Sequence, residues 1–287
     1  MVYRMLALNV DGTLLRSNGR LHQATKEAID YCLKKGIYVT LVTNRHFQSA
    51  RKLGRALKLN AIYVTHGGAF VSSTIDKPLY ENRLSEDTTF NLVQVLENYD
   101  CHIRIIHERY SLGNRKKITE NLSGSASMHT SEPLFYPVQY VESLGDALMD
   151  EPVTAPKMDV IFSDREEQQA AEHTIRNAFE GVTVLQSSPV KLELVSKGVS
   201  KEQGLFVLSN HLGIKAEEIV AIGDAHDDIN MILEAGLGVA MGNAPFEVKK
   251  AADWVTRSND ESGIAYVIKE HFRKQHRLGF LDKINVD

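Results

Sequence analysis

A chain of 287 residues with 43% hydrophobic and 24% charged positions can bury a sizeable core, in one large domain or two modest ones. Its formal charge of -4, with lysines and arginines scattered among acids, creates no basic field for a nucleic-acid backbone. Two cysteines, Cys32 and Cys101, are too few for a disulfide scaffold or a thiolate metal site, and the apolar run up to Val10 is shorter than a membrane span and lacks a signal-peptide core, so a cytoplasmic setting is expected.

In chain order, the run Tyr3–Val10 reads as a buried strand that delivers Asn9-Val10-Asp11-Gly12-Thr13 onto a turn. Ala24, Ala28, Cys32 and Lys35 follow helical spacing, and Gly36 suits the helix C-cap. A strand over 37–42, the polar Thr43-Asn44-Arg45, a helix over 47–57 and a strand over 61–64 complete a βαβαβ pattern, which predicts a parallel sheet covered by helices. After Tyr80 the alternation breaks into turns, a helix over 88–99 and short β-rich runs, then a strand over 158–162, a helix over 166–179 and strands over 182–186 and 192–195. From Lys201 the parallel pattern resumes: helix 201–212, strand 219–222, helix 228–235, strand 238–241 and a short helix over 247–251. The first and last thirds therefore form one domain with an α+β insertion between them.

Each core strand end carries a polar signal, and in doubly wound folds ligands lie outside the carboxyl ends of the strands. Taken singly, the signals have ordinary readings. Asp11-Gly12 suits a turn, Thr43 could cap the following helix, and Lys201 could be a solvated residue of a first helical turn. Asp224, Asp227 and Asp228 suit a helix start, yet three acids gathered at one strand end repel one another unless a cation binds. His66, beside Gly67-Gly68, reads as a structural loop histidine.

Together, Val10-Asp11-Gly12-Thr13-Leu14-Leu15, Thr43, Lys197-Gly198-Val199-Ser200-Lys201, Gly223-Asp224-Ala225-His226-Asp227-Asp228 and Met241-Gly242-Asn243-Ala244 resemble the motifs of the haloacid dehalogenase superfamily. Within it the chain is similar to the Cof-type sugar phosphatases, and to their YhaX group of stress-response proteins, over essentially its whole length. The resemblance implies an α/β fold with a Rossmann-like core, residues 1–84 and 196–287, and an inserted cap of the C2B type, residues 85–195. It also implies a Mg²⁺-dependent phosphatase for small phosphorylated metabolites such as sugar phosphates, with the cap closing to exclude water and choose the substrate.

By the same resemblance, position 9 carries the nucleophile and Asp11 is the acid and base. Thr43 and Lys201 hold the phosphoryl oxygens, with Gly12 and Asn44 lining the substrate. Mg²⁺ would be held by Asn9, the Asp11 carbonyl, Asp224 and Asp228, an all-oxygen set that suits a hard cation, with Asp227 and Asn243 in support. The pattern breaks at four places: Asn9 stands for aspartate, Asn44 for glycine, Gly67 for asparagine and Asp227 for asparagine.

A neutral amide is a poor nucleophile, and nucleophile removal elsewhere costs on the order of a millionfold in turnover. Asn9 therefore opens three routes: conversion to aspartate, direct attack by water activated through Asp11, or a phosphate-binding protein without turnover. A phosphomutase would further require phosphate binders in the cap, for which Arg104, Arg109, Lys116 and Lys117 are candidates and a solvated basic face is the ordinary reading. The sequence leaves the oligomeric state open.

Overall fold

The computed structural model describes residues 2–115 and 137–279. In chain order they form β1 (Met5–Leu8), α1 (Gln23–Lys34), β2 (Tyr38–Leu41), α2 (Phe47–Ala56), β3 (Tyr63–Thr65), β4 (Phe70–Ser72), β5 (Tyr80–Glu81), α3 (Glu86–Leu96), β6 (Cys101–Ile106), β7 (Ser111–Asn114), β8 (Val138–Val141) and α4 (Leu144–Asp150). There follow β9 (Lys157–Phe162), α5 (Arg165–Ala178), β10 (Val182–Ser188), β11 (Lys191–Ser196), α6 (Lys201–His211), β12 (Ile219–Gly223), α7 (Ile229–Glu234), β13 (Leu237–Ala240), α8 (Phe246–Ala251), β14 (Trp254–Val255) and α9 (Gly263–His271). The chain divides into two compact units, one running up to Tyr80 and again from Ser200, the other Glu81–Val199.

The first unit is built on a parallel sheet of order β14-β13-β12-β1-β2. Every residue of β1 is buried, because strands flank it on both sides and helices cover the sheet, which is why it reads as an unbroken apolar run. Leu8 lies opposite both Ile222 and Leu41, so β1, β12 and β2 end at one level. The chain thus delivers Asn9, Thr43 and Asp224 to the same edge. The expected third parallel strand is shorter and differently paired: β3 touches β2 through the single parallel bridge Val42–Val64 and otherwise pairs antiparallel with β4.

Helix α1 starts at His22, whose Nδ1 accepts from the Ala24 N–H at 3.1 Å, and buries Ile29 and Cys32. It stops where Gly36 takes φ +78°. A Cβ there would lie 2.0 Å from the Leu278 carbonyl oxygen, so the position requires glycine on both counts. The sequence reading did not include α9, which packs on α1. Lys35 Nζ ties the two by donating to the Phe272, Arg273 and Gln275 carbonyls.

The second unit is a six-stranded sheet of order β10-β11-β9-β6-β7-β8. Alternate residues Ile103, Ile105, Met158, Val160, Leu192 and Leu194 form one core with Leu92, Leu96, Leu148 and Ile175 of the helices. The seams differ from the sequence expectation because Leu84 and Ala155 exchange backbone bonds at 2.8 and 3.2 Å, and Lys197 N–H donates to the Gly181 carbonyl at 2.8 Å. Both flanking stretches are thereby tied into the inserted unit.

On the opposite parity of β9 and β11, Lys157 and Lys191 each pair with Asp159 and Glu193 at 2.9–3.1 Å, a closed ring of four charges. Burial pushes the Glu193 carboxyl up, but the ammonium groups of Lys157 and Lys191 outweigh it and hold it well below its ordinary 4.5. A carboxyl depressed on folding contributes stability above that value and loses it as the pH falls further. The urea midpoint of the protein should therefore drop as the pH is lowered below about 4.5, and Glu193→Gln should flatten that dependence.

Candidate active site

The loop leaving β1 is an irregular turn over Val10–Leu14 that pivots on Gly12 at φ +71°. A Cβ at Gly12 would lie 1.9 Å from Asp224 Oδ2, so glycine is what lets the turn close onto the end of β12. The Gly12 carbonyl accepts from Asn243 Nδ2 at 2.8 Å, while Asn243 Oδ1 accepts from the Asn259 N–H at 3.0 Å. Asn243 therefore braces this turn against the loop after β14.

Lys201 enters from the first turn of α6, which Ser200 caps by accepting from the Gln203 N–H. The helix start lies against the turn after β3. A Cβ at Gly68, φ +105°, would sit 1.9 Å from the Ser200 carbonyl oxygen. Its Nζ lies 2.7 Å from Asp228 Oδ1, 2.9 Å from Asp227 Oδ2 and 3.3 Å from Asn9 Oδ1. Burial alone would lower the ammonium's pKa, but Asp228 and Asp227 outweigh it and hold Lys201 above its ordinary range.

Asp228 is fully buried. Its Oδ2 accepts from the N–H groups of Asp224 and Ala225 at 2.9 and 3.0 Å, closing the turn that aims Asp224 at the β1 end. Burial, opposed by the Thr13 hydroxyl bond and reinforced by Asp228, pushes the Asp224 carboxyl up to about 6.

Arg45 is the residue the sequence reading missed. It is buried on the loop after β2, and its Nε and Nη2 donate to the two oxygens of Asp11 at 2.8 and 2.7 Å, a bidentate fork. Nη1 is held by Ser49 Oγ at 3.1 Å. The available signal was an arginine two residues after a strand-end threonine. Thr43 Oγ1 accepts from the Arg45 N–H at 3.2 Å, so its own hydroxyl proton is not spent on that bond. Thr13 is a second omission: its hydroxyl donates to Asp224 Oδ1 at 2.6 Å. His66 is buried edge-on to Phe70 with Nδ1 3.1 Å from Thr65 Oγ1, a structural position. Of the further phosphate-binder candidates, Arg104 is half-buried and donates to Ser111 Oγ in the second unit, Arg109 is exposed on it, and Lys116 and Lys117 lie outside the described residues.

The four departures from the resembled pattern fall into two neighbouring pairs. Asn9 and Asp227 meet on the same Lys201 ammonium, so the carboxylate missing at 9 is supplied from 227. A Cβ at Gly67 would lie 3.0 Å from Asn44 Oδ1, so the amide missing at 67 is supplied from 44, and Asn44 Nδ2 donates to Asp227 Oδ2 at 2.7 Å.

The expected metal set is brought together but not oriented as a set of cation ligands. Asn9 Nδ2 donates to the Asp11 carbonyl at 2.9 Å and to Asp224 Oδ1 at 3.0 Å, oxygens of two groups that would be expected to hold a divalent cation. Asp228 is directed at Lys201 and two backbone N–H groups. Among the described residues, no group of three histidine, cysteine or acidic side chains is spaced to hold a metal ion. Turning the Asn9 amide over to offer Oδ1 to a cation would aim Nδ2 at the Lys201 ammonium, donor against donor. As folded, the donor set does not fit Mg²⁺.

The family model of haloacid dehalogenase-like hydrolases matches residues 6–268. The chain is 57% identical over 286 residues to the stress response protein YhaX of Bacillus subtilis, covering 100% of this chain and 99% of that one. It is 27% identical to the 5-amino-6-(5-phospho-D-ribitylamino)uracil phosphatase YcsE of the same organism, over 93% and 94% of the two chains. A haloacid dehalogenase-like hydrolase from Bacteroides thetaiotaomicron superposes with a TM-score of 0.80 at 27% identity, over 93% and 99% of the two chains. Among the described residues no helix is long and apolar enough to cross a membrane. With its parallel core, its inserted unit and its motif residues gathered at one sheet edge, the chain belongs to the haloacid dehalogenase-like hydrolases.

Proposed function

We propose that the core site receives the phosphoryl group of small phosphorylated metabolites, sugar phosphates among them, and hydrolyses the phosphomonoester by direct attack of water. The observation that carries this reading is the convergence of Asp11, Thr43, Lys201 and Arg45 around Asn9. The Thr43 hydroxyl and the Lys201 ammonium are the groups that would meet phosphoryl oxygens. As a neutral carboxamide, Asn9 is a poor nucleophile toward phosphorus. Asp11, with a side chain 54% exposed, is the carboxylate that takes the proton of the attacking water as the water oxygen bonds to phosphorus. The ester oxygen leaves and is protonated from solvent. Substrate choice belongs to the inserted unit in this reading, and a role under stress follows from the likeness to YhaX.

The test is hydrolysis of an aryl phosphate and a panel of sugar phosphates by the protein, after intact-mass confirmation of residue 9, alongside Asp11→Ala. Slow turnover that disappears in Asp11→Ala is the expected outcome. Turnover that survives in Asp11→Ala would refute the assignment of the base. A second reading, a phosphometabolite-binding protein without turnover, is favoured by the amide at position 9. It takes over if the panel members bind, by calorimetry, and none is hydrolysed.

A further inference from the structure

Asn9 is 4% exposed, and both of its amide protons and its amide oxygen have partners. Its two N–H bonds reach the Asp11 carbonyl and Asp224 Oδ1, and its oxygen faces Lys201. We propose that this carboxamide takes the place of a divalent cation in the site, its N–H₂ group joining the Asp11 carbonyl and Asp224 Oδ1, groups that would otherwise be expected to hold the ion. The chain is thereby built to close its β1 and β12 loops onto each other without a metal.

The physical case rests on what a buried carboxylate requires. Asp224 sits beside buried Asp228 and needs positive charge or donors on its inward oxygen. That oxygen receives Thr13 Oγ1 at 2.6 Å and Asn9 Nδ2 at 3.0 Å, two donors converging on one atom. The Asp11 carbonyl, which tops the turn pivoting on Gly12, receives the second Asn9 proton. A cation entering between these oxygens must break both hydrogen bonds donated by the Asn9 amide and leave the N–H₂ group against an ammonium. Aspartate at the same position would put a carboxylate oxygen 3.0 Å from Asp224 Oδ1 and create the demand for a cation that the amide removes.

A surrogate differs from a ligand that has merely lost its charge, and removing the side chain separates the two. Mn²⁺ binding, read from free-ion electron paramagnetic resonance and by calorimetry, would be measured on the full-length protein, on Asn9→Ala and on Asn9→Asp. The surrogate requires the native protein to bind most weakly. Asn9→Ala should bind at least about tenfold tighter because the place is vacated, and Asn9→Asp tighter still. Native binding as tight as that of Asn9→Ala or Asn9→Asp would overturn the proposal, since the amide oxygen would then be a cation ligand.

Should Asn9→Ala fail to fold, the Asn9 side-chain N–H₂ resonances of the ¹⁵N-labelled native protein decide. They should stay in place as Mg²⁺ is raised to about 10 mM. A saturable shift at lower Mg²⁺ would sink the idea. These readouts concern the cation alone, so a failure to find phosphomonoester turnover leaves them intact.

Discussion

Asn9→Asp should raise phosphomonoester turnover by several orders of magnitude, up to about the millionfold that nucleophile removal costs in enzymes that attack covalently. The substituted carboxylate would keep the geometry of the amide it replaces, 3.3 Å from Lys201 Nζ and at the end of a strand whose register fixes its height beside Thr43. Its electrostatic setting is less favourable. It would become the third carboxylate on one ammonium, after Asp228 at 2.7 Å and Asp227 at 2.9 Å, and would abut Asp224. Like charges at that separation cannot all ionise without a compensating cation, so the gain should be sought with Mg²⁺ in the assay. The same crowding predicts coupling: Asn9→Asp with Asp227→Asn should turn over faster than Asn9→Asp alone, because it moves the charge back instead of adding one. Steady-state kinetics of the two singles and the double on an aryl phosphate would measure the coupling. A turnover unchanged by Asn9→Asp would mean that this pocket has lost more than its nucleophile.

What the sequence made legible follows from what is local in it. The strand ends at Asn9, Thr43 and Asp224 could be placed because a buried parallel strand is an unbroken apolar run and its end is marked by the first polar residues. Lys201 could be placed at a helix start because Ser200 is a capping residue. The orientation of the groups could not be read that way. Whether Asp228 faces a cation or Lys201 depends on the backbone N–H groups of Asp224 and Ala225, which no spacing rule supplies. The Arg45 fork on Asp11 joins residues on two different strand ends, and the exchange between Asn44 and Gly67 is visible only once the two loops touch. Helix α9 escaped because its value lies in α1, more than two hundred residues away along the chain. The third strand differs for a related reason: an apolar run fixes burial but not the partner, and every residue of β3 pairs with β4 while β2 reaches it through one parallel bridge.

Lys201→Met should be the most destabilising single change in the site. The methionine stem replaces the buried aliphatic part of the lysine, so the loss is the ammonium itself. Asp228, 0% exposed, would keep its two backbone N–H bonds on Oδ2 and lose the cation on Oδ1, and Asp227 would lose its partner at 2.9 Å. Breaking one side of a buried pair costs about 3–5 kcal/mol, because the remaining charge stays buried and uncompensated, and for a chain of this size that lowers the melting temperature by roughly 10 °C. The charge can then be removed in turn. Asp228→Asn in the Lys201→Met background retains an oxygen for the Asp224 and Ala225 N–H groups and has no net charge to bury, so the double variant should melt above the single one. Calorimetric melts of the native protein, Lys201→Met and the double variant supply the comparison. A double variant no more stable than Lys201→Met would assign the loss to packing around α6 and leave the ion pair without a measurable share in holding the site together.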